Sequence, residues 1–143
     1  MKTLLGAMLV ASLSAAGLLE VAVTARQRSV VPGIYTSAQA NRGAVLYCDS
    51  CESCHAPDLA GGKVVPEMVG PTFIARWSGR MVGRLYERVL ESMPEDDLSS
   101  VSRQEKADIV AFILRANGFP AGDDELADRN EILDQFLFEA VTP

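Results

Sequence analysis

Cys48 to His55, written CDSCESCH, gathers all 3 cysteines of a 143-residue chain together with its only histidine. Thiolate and imidazole are the side chains that hold soft metals and tether cofactors, so their crowding into one short stretch marks the chemistry of the molecule. Two C-x-x-C units overlap there, Cys48/Cys51 and Cys51/Cys54, and only the second is followed directly by histidine. C-x-x-C-H is the spacing of covalent haem attachment. Two thiols add to the vinyl groups of the porphyrin as thioethers, and the two-residue gap lets one helical turn reach both. The next residue, His55, is then placed beneath the iron as its proximal ligand. Pairing Cys48 with Cys51 instead would leave Glu52 where an iron ligand must stand.

Three other chemistries compete for the same residues. An iron–sulfur motif needs a fourth cysteine followed by proline, which the chain lacks. A zinc site of Cys48, Cys51, Cys54 and His55 has enough ligands, yet the adjacent Cys54 and His55 close a tetrahedron poorly. A redox dithiol of the thioredoxin kind needs a βαβ setting, and no strand alternation is present. One covalent haem c is the expected cofactor. Cys48 falls outside the haem count, and we expect it to end as a buried, unreactive thiol.

With one histidine, a sixth iron ligand must come from elsewhere in the chain or the site stays open. Met68, Met81 and Met93 are the candidates beyond the amino-terminal apolar run. Met81 falls in an expected helix and is assigned to packing. Met68 sits in the loop PEMVGP and is the reserve. Met93 ends a helix just before Pro94, a fixed yet non-helical placement that suits a ligand, and it is the preferred one. A thioether favours ferrous iron, so His/Met ligation raises the potential.

The rest of the chain must position these groups. Its formal net charge of -6 and pI of about 4.7 make a nucleic-acid partner unfavourable, while 48% hydrophobic residues supply a core. Residues 1–25 read as a signal peptide: Lys2, an uncharged run from Leu4 to Leu19, then small residues ending in Val23-Thr24-Ala25, with Ser14-Ala15-Ala16 an earlier cleavage option. The competing reading is a retained membrane anchor, which Glu20 and the small-residue exit disfavour. No cysteine follows the run, so a lipid anchor is not indicated. Removing Lys2 and Glu20 together leaves the charge at -6. The expected location is the periplasm.

Residues 26–36 contain Pro32-Gly33 and read as a linker. The domain is expected over 37–121, mostly helical. A first helix starts at Thr36 or Ser37 and runs towards Cys51, carrying Ala40, Gly43, Ala44 and Tyr47 on one face. Ala56 to Arg76 reads as loop, rich in glycine and proline. A second helix covers Gly79 to Glu91, and Met93-Pro94 ends it. A third opens on the capping box Ser102-Arg-Gln-Glu105, buries Ile109, Phe112, Ile113 and Ala116, and stops at Gly118 and Pro120. Residues 122–143 read as an extension packed on the domain, with a short helix over ILDQFLF.

From Tyr35 to Leu126 the chain resembles a class I (mono-haem) cytochrome c. Gly43-x-x-x-Tyr47-x-x-x-Cys51 reproduces the family's glycine–aromatic–cysteine spacing. DIVAFIL matches the helix that crosses it, with Ile109 and Phe112 at the contact. The resemblance implies an all-α fold of three main helices around one haem, and an electron carrier rather than an enzyme. It also implies that the Pro71 carbonyl, in Gly70-Pro71, accepts the ring N–H of His55. A narrower resemblance, in GPTFIARWSGRMVGRLYERV, SMP and AFILRANGFPAGDDEL, is to cytochromes serving quinoprotein (pyrroloquinoline quinone) dehydrogenases. That resemblance implies a periplasmic dehydrogenase as donor, a downstream oxidase or cytochrome as acceptor, and Trp77 and Arg80 beside the haem propionates. Cys48 departs from the pattern, which expects another residue there. Alternatives within the same reading are a cytochrome subunit fixed in a dehydrogenase complex and a small haem peroxidase or gas-binding protein. The acidic chain predicts partners presenting positive charge and transfer that slows as salt rises.

Overall fold

The computed structural model describes residues 27–139, and the expected signal peptide lies outside them. Its elements run β1 (Arg28–Ser29), α1 (Ser37–Ser50), α2 (Glu52–His55), α3 (Pro71–Trp77), α4 (Val82–Ser92), α5 (Arg103–Ala116), α6 (Asn130–Leu133) and β2 (Phe136–Leu137). The fold is all-α in its frame, with one short pair of strands added.

Local chemistry sets the ends of the frame helices. The Thr36 hydroxyl accepts from the Gln39 amide at 3.1 Å and starts α1. A complete capping box starts α5: the Ser102 amide donates to Glu105 at 2.7 Å, and the Glu105 amide donates back to the Ser102 hydroxyl. Gly118, at φ 80°, follows the C-cap residue Asn117 and releases the chain.

Helices α1 and α5 form the main packing pair of the domain. Gly43 is where they cross, because a Cβ there would overlap the Asp108 carbonyl of α5. Close approach brings Tyr47 and Phe112 to a ring separation of 5.3 Å. Beside the crossing, Arg42 donates to both carboxylate oxygens of buried Asp108, at 2.9 and 3.1 Å. Deeper in, the Gln39 amide brackets the Leu126 backbone, donating to its carbonyl at 3.0 Å and accepting from its N–H at 2.6 Å. The segment after α5 is thereby fastened to α1.

Several boundaries differ from the sequence reading. The stretch read as a linker is integrated into the domain: Val30, Ile34 and Tyr35 are buried, and β1 pairs in parallel with β2. Tyr35 also donates to the Phe119 carbonyl. Part of the expected loop is helical, since Pro71 serves as the first residue of α3. Helix α4 begins at Val82 rather than Gly79, because Gly79 takes φ 80°, outside the helical region. Met81 is accordingly the half-buried N-cap of α4 rather than a residue of its buried stripe. In the tail, α6 covers four residues, and FLF beyond it is extended. That extended end covers the core: Phe138 meets Phe119 at 4.7 Å and Phe73 at 6.1 Å.

Candidate haem-binding site

Helix α1 delivers the cysteine cluster. Its C-cap is Cys51, whose amide donates to the Tyr47 carbonyl at 2.9 Å. One further turn, α2, carries Cys54 and His55, with both of their amides donating to the Cys51 carbonyl, at 3.2 and 3.0 Å. The two-residue gap thus sits on a helical turn. Tyr47 fixes the far end as well, its hydroxyl donating at 2.5 Å to the carbonyl of Ala56, the residue after His55. Burial pushes that hydroxyl's pKa up to about 12, so it stays a donor.

None of the three cysteines is paired in a disulfide. Cys51 is half-buried, and burial followed by the neighbouring Cys54 raises its pKa to about 11. Cys54 is exposed. Cys48 is exposed too, which corrects the expectation of a buried thiol. It precedes Cys51 by three residues while buried Tyr47 faces the core, so its own face of α1 looks outward. A hydrogen bond to Glu52, then the charge of the same carboxylate, raises its pKa and disfavours the reactive thiolate.

His55 is 8% exposed. Burial lowers its pKa, which favours the neutral imidazole, the form with a lone pair for a metal. The Pro66 carbonyl faces the ring and opposes that shift, but Nδ1 has no hydrogen-bond partner of normal geometry. Pro71, half a loop further on, is exposed at the start of α3, and its carbonyl does not bond Nδ1 here.

The loop from Ala56 to Gly70 folds back on itself. Ala56 and Leu59 adopt positive φ, Gly61 donates to the His55 carbonyl at 3.0 Å, and Met68 donates to the Leu59 carbonyl at 2.8 Å. Asn117 holds its far end. The side chain accepts from the Gly70 amide at 3.0 Å and donates to the Met68 carbonyl at 2.9 Å. Sequence reading passed over Asn117; its place before Gly118 at a helix end was the available signal.

Met93 is the C-cap of α4, in extended conformation, and its peptide bond to Pro94 is cis. Met93, Met68, Ile74, Trp77, Leu90 and Cys51 all pack on the core while remaining partly exposed. Trp77 and Arg80 come together in a cleft of about 680 Å³ with Arg84, Glu87, Arg88, Glu91 and Ser92. A larger groove of about 730 Å³ lies between the two ends of the described chain and is lined by none of the cysteines, His55 or the methionines.

These features fit a covalent haem. Cys51 and Cys54 flank one turn, a buried imidazole follows them with Nδ1 unpartnered among the described residues, and half-covered apolar side chains offer surface to a porphyrin. Among the described residues no three His, Cys, Asp or Glu side chains converge to hold a metal ion, so the zinc reading finds no geometric support. No helix among them is long and apolar enough to cross a membrane.

Comparison with protein families agrees with this assignment. Residues 38–113 match the family model described as cytochrome c oxidase, cbb3-type, subunit III. Among solved structures, the sulfane dehydrogenase SoxCD from Paracoccus pantotrophus aligns with a TM-score of 0.48 at 24% identity, over 83% of this chain and 61% of that one. A comparison with curated proteins found no match. The family match spans more than half of the sequence and takes in the whole of C-x-x-C-H, so the chain belongs to that family and is a class I c-type cytochrome with covalently bound haem c.

Proposed function

We propose that the protein is an exported one-electron carrier, taking electrons from a periplasmic quinoprotein dehydrogenase and passing them to a respiratory oxidase or a further cytochrome. The observation that carries this reading is the buried His55 held on one helical turn with Cys51 and Cys54 on a family-matched frame. In this assignment Cys51 and Cys54 form the thioethers, His55 is the proximal ligand and Met93 the sixth. Haem, when bound, would supply one-electron redox chemistry.

The chain's own residues set the terms of that exchange. Cys51 and Cys54 keep the cofactor from dissociating in either state. His55 and Met93 would hold the iron, and with both bound the chemistry left to the group would be electron transfer rather than substrate turnover. Met93, through its soft sulfur, raises the potential. The Pro66 carbonyl, which faces the His55 ring, is assigned to its N–H in place of Pro71, and Trp77 and Arg80 to the propionates. Arg80 can offer a guanidinium fork to a carboxylate.

The test is direct. Ferric holoprotein is mixed with a pyrroloquinoline quinone dehydrogenase and its alcohol or sugar substrate, and the visible haem spectrum is followed. Substrate-dependent reduction supports the reading. A protein that dithionite reduces but no such dehydrogenase does would overturn the donor assignment.

A further inference from the structure

Lys106 is 2% exposed, within the first half of α5, and is the one Lys or Arg side chain among the described residues that is buried. A buried ammonium is costly, and a leucine or methionine would fill the same space without that cost. Among the described residues no carboxylate forms an ion pair with it. Its Nζ instead donates to two backbone carbonyls, Leu90 at 3.1 Å and Leu98 at 2.9 Å. Burial lowers its pKa, partly offset by Asp97.

Those two carbonyls lie on either side of Met93. Leu90 is in the last turn of α4, and Leu98 is on the loop that returns to α5. Little else holds that loop. Glu95 to Ser100 are exposed, Leu98 itself is 46% exposed, and the hydrogen bonds within it are local ones around Asp97. Between Met93, packed on the core, and buried Val101, hydrophobic burial therefore does not fix the exposed stretch. Lys106 fastens the middle of that stretch, at Leu98, and the helix end before it, at Leu90, to the helix that crosses α1.

We propose that Lys106 is a positioning residue for the sixth ligand: by bridging the carbonyls of Leu90 and Leu98 it holds the loop so that Met93 meets the iron. This rests on the assignment of Met93. A cation serves here better than an apolar residue because it satisfies two carbonyls at once with charge-assisted bonds. Removing it leaves both without that donor and frees the loop to swing away with its methionine.

The experiment uses ferric and ferrous holoprotein of the Lys106→Met, Lys106→Arg and Met93→Ala variants. Readouts are the near-infrared sulfur-to-iron absorption of the ferric form, the rate of carbon monoxide binding to the ferrous form, and covalent haem content. Lys106→Met is expected to keep its covalent haem while the ratio of methionine-bound to open iron falls about tenfold, the size that losing a charge-assisted hydrogen bond carries. Lys106→Arg should recover much of the difference. A Lys106→Met protein with an unchanged band and unchanged carbon monoxide rate overturns the proposal. Should that variant fail to accumulate, Lys106→Gln takes its place, with the same overturning result. Met93→Ala separates the two assignments: if it keeps the sulfur band, Met93 is not the ligand, whatever Lys106 does.

Discussion

The two sides of the haem site are built in opposite ways. The proximal side is contiguous: Cys51, Cys54 and His55 lie on one turn, fixed by backbone bonds to Cys51 and by Tyr47 at the exit. The distal side, as proposed, is assembled from distant parts. Met93 stands at a helix end, on a segment whose restraints come from α5, across the fold. Contiguity makes the first side rigid as soon as the helix forms, and the second depends on tertiary packing. Covalent attachment then belongs to the rigid side and ligand exchange to the other.

The largest effect should come from breaking the proximal side. Replacing Cys51 or Cys54 by alanine should abolish stable two-point attachment, and His55→Ala should remove the proximal ligand. Cys48→Ala should leave haem content at the level of the unmodified protein, since that exposed thiol lies outside the motif. Haem staining after denaturing electrophoresis, with intact mass, checks all four. Loss of haem from Cys48→Ala would mean the attachment register is wrong.

Disturbing the distal side should be milder. Met93→Ala should retain covalent haem yet bind carbon monoxide readily, and its potential should drop by part of the ~0.8 V range that axial ligands span. Met68→Ala should do neither, being tied through its backbone to Asn117 and Leu59 rather than assigned to iron. Potentiometry on both variants decides between the two methionines, and a larger drop for Met68→Ala would exchange their roles.

A smaller change tests the frame that both sides share. Gly43→Ala sets a methyl group against the Asp108 carbonyl, so α1 and α5 must separate. Overpacking of this kind costs about 1–3 kcal/mol. Chemical denaturation of the holoprotein should show that loss, with haem still attached. Because α1 carries the proximal turn and α5 the distal restraint, the sulfur-to-iron band should weaken before the protein unfolds.

What the sequence disclosed follows the same division. The haem motif, the capping box and the Gly43 crossing were legible because each depends on residues close in sequence or on one glycine whose need for space is plain. Helix α3 was hidden by composition: Pro71 reads as a loop residue, although proline is favoured at the first position of a helix. The segment from Arg28 to Tyr35 reads as a linker in the sequence since its partners, Phe136, Leu137 and Phe119, come about a hundred residues later. Lys106 and Asn117 escaped for a similar reason. Nothing local says that a helical lysine points inward, or that an asparagine at a helix end reaches back to the loop at Met68. Cys48 was misjudged through helical phase, its neighbour Tyr47 having the inward place.

The crossing at Gly43 and Asp108 has a consequence for folding. Joining these residues closes a loop of about 65 residues, and every group assigned to the haem lies inside it. Loop closure carries an entropic cost that grows with the logarithm of length. Thioethers at Cys51 and Cys54 bridge almost no chain, so they do little to lower that cost. Iron bound by both His55 and Met93 would bridge most of it, dividing one long loop into shorter ones much as a disulfide does. Since thioether sulfur prefers ferrous iron, that cross-link would be tighter in the reduced protein than in the oxidised one. The protein should therefore resist denaturant better reduced than oxidised, with the redox state of one atom governing the conformational freedom of the chain between its two proposed ligands.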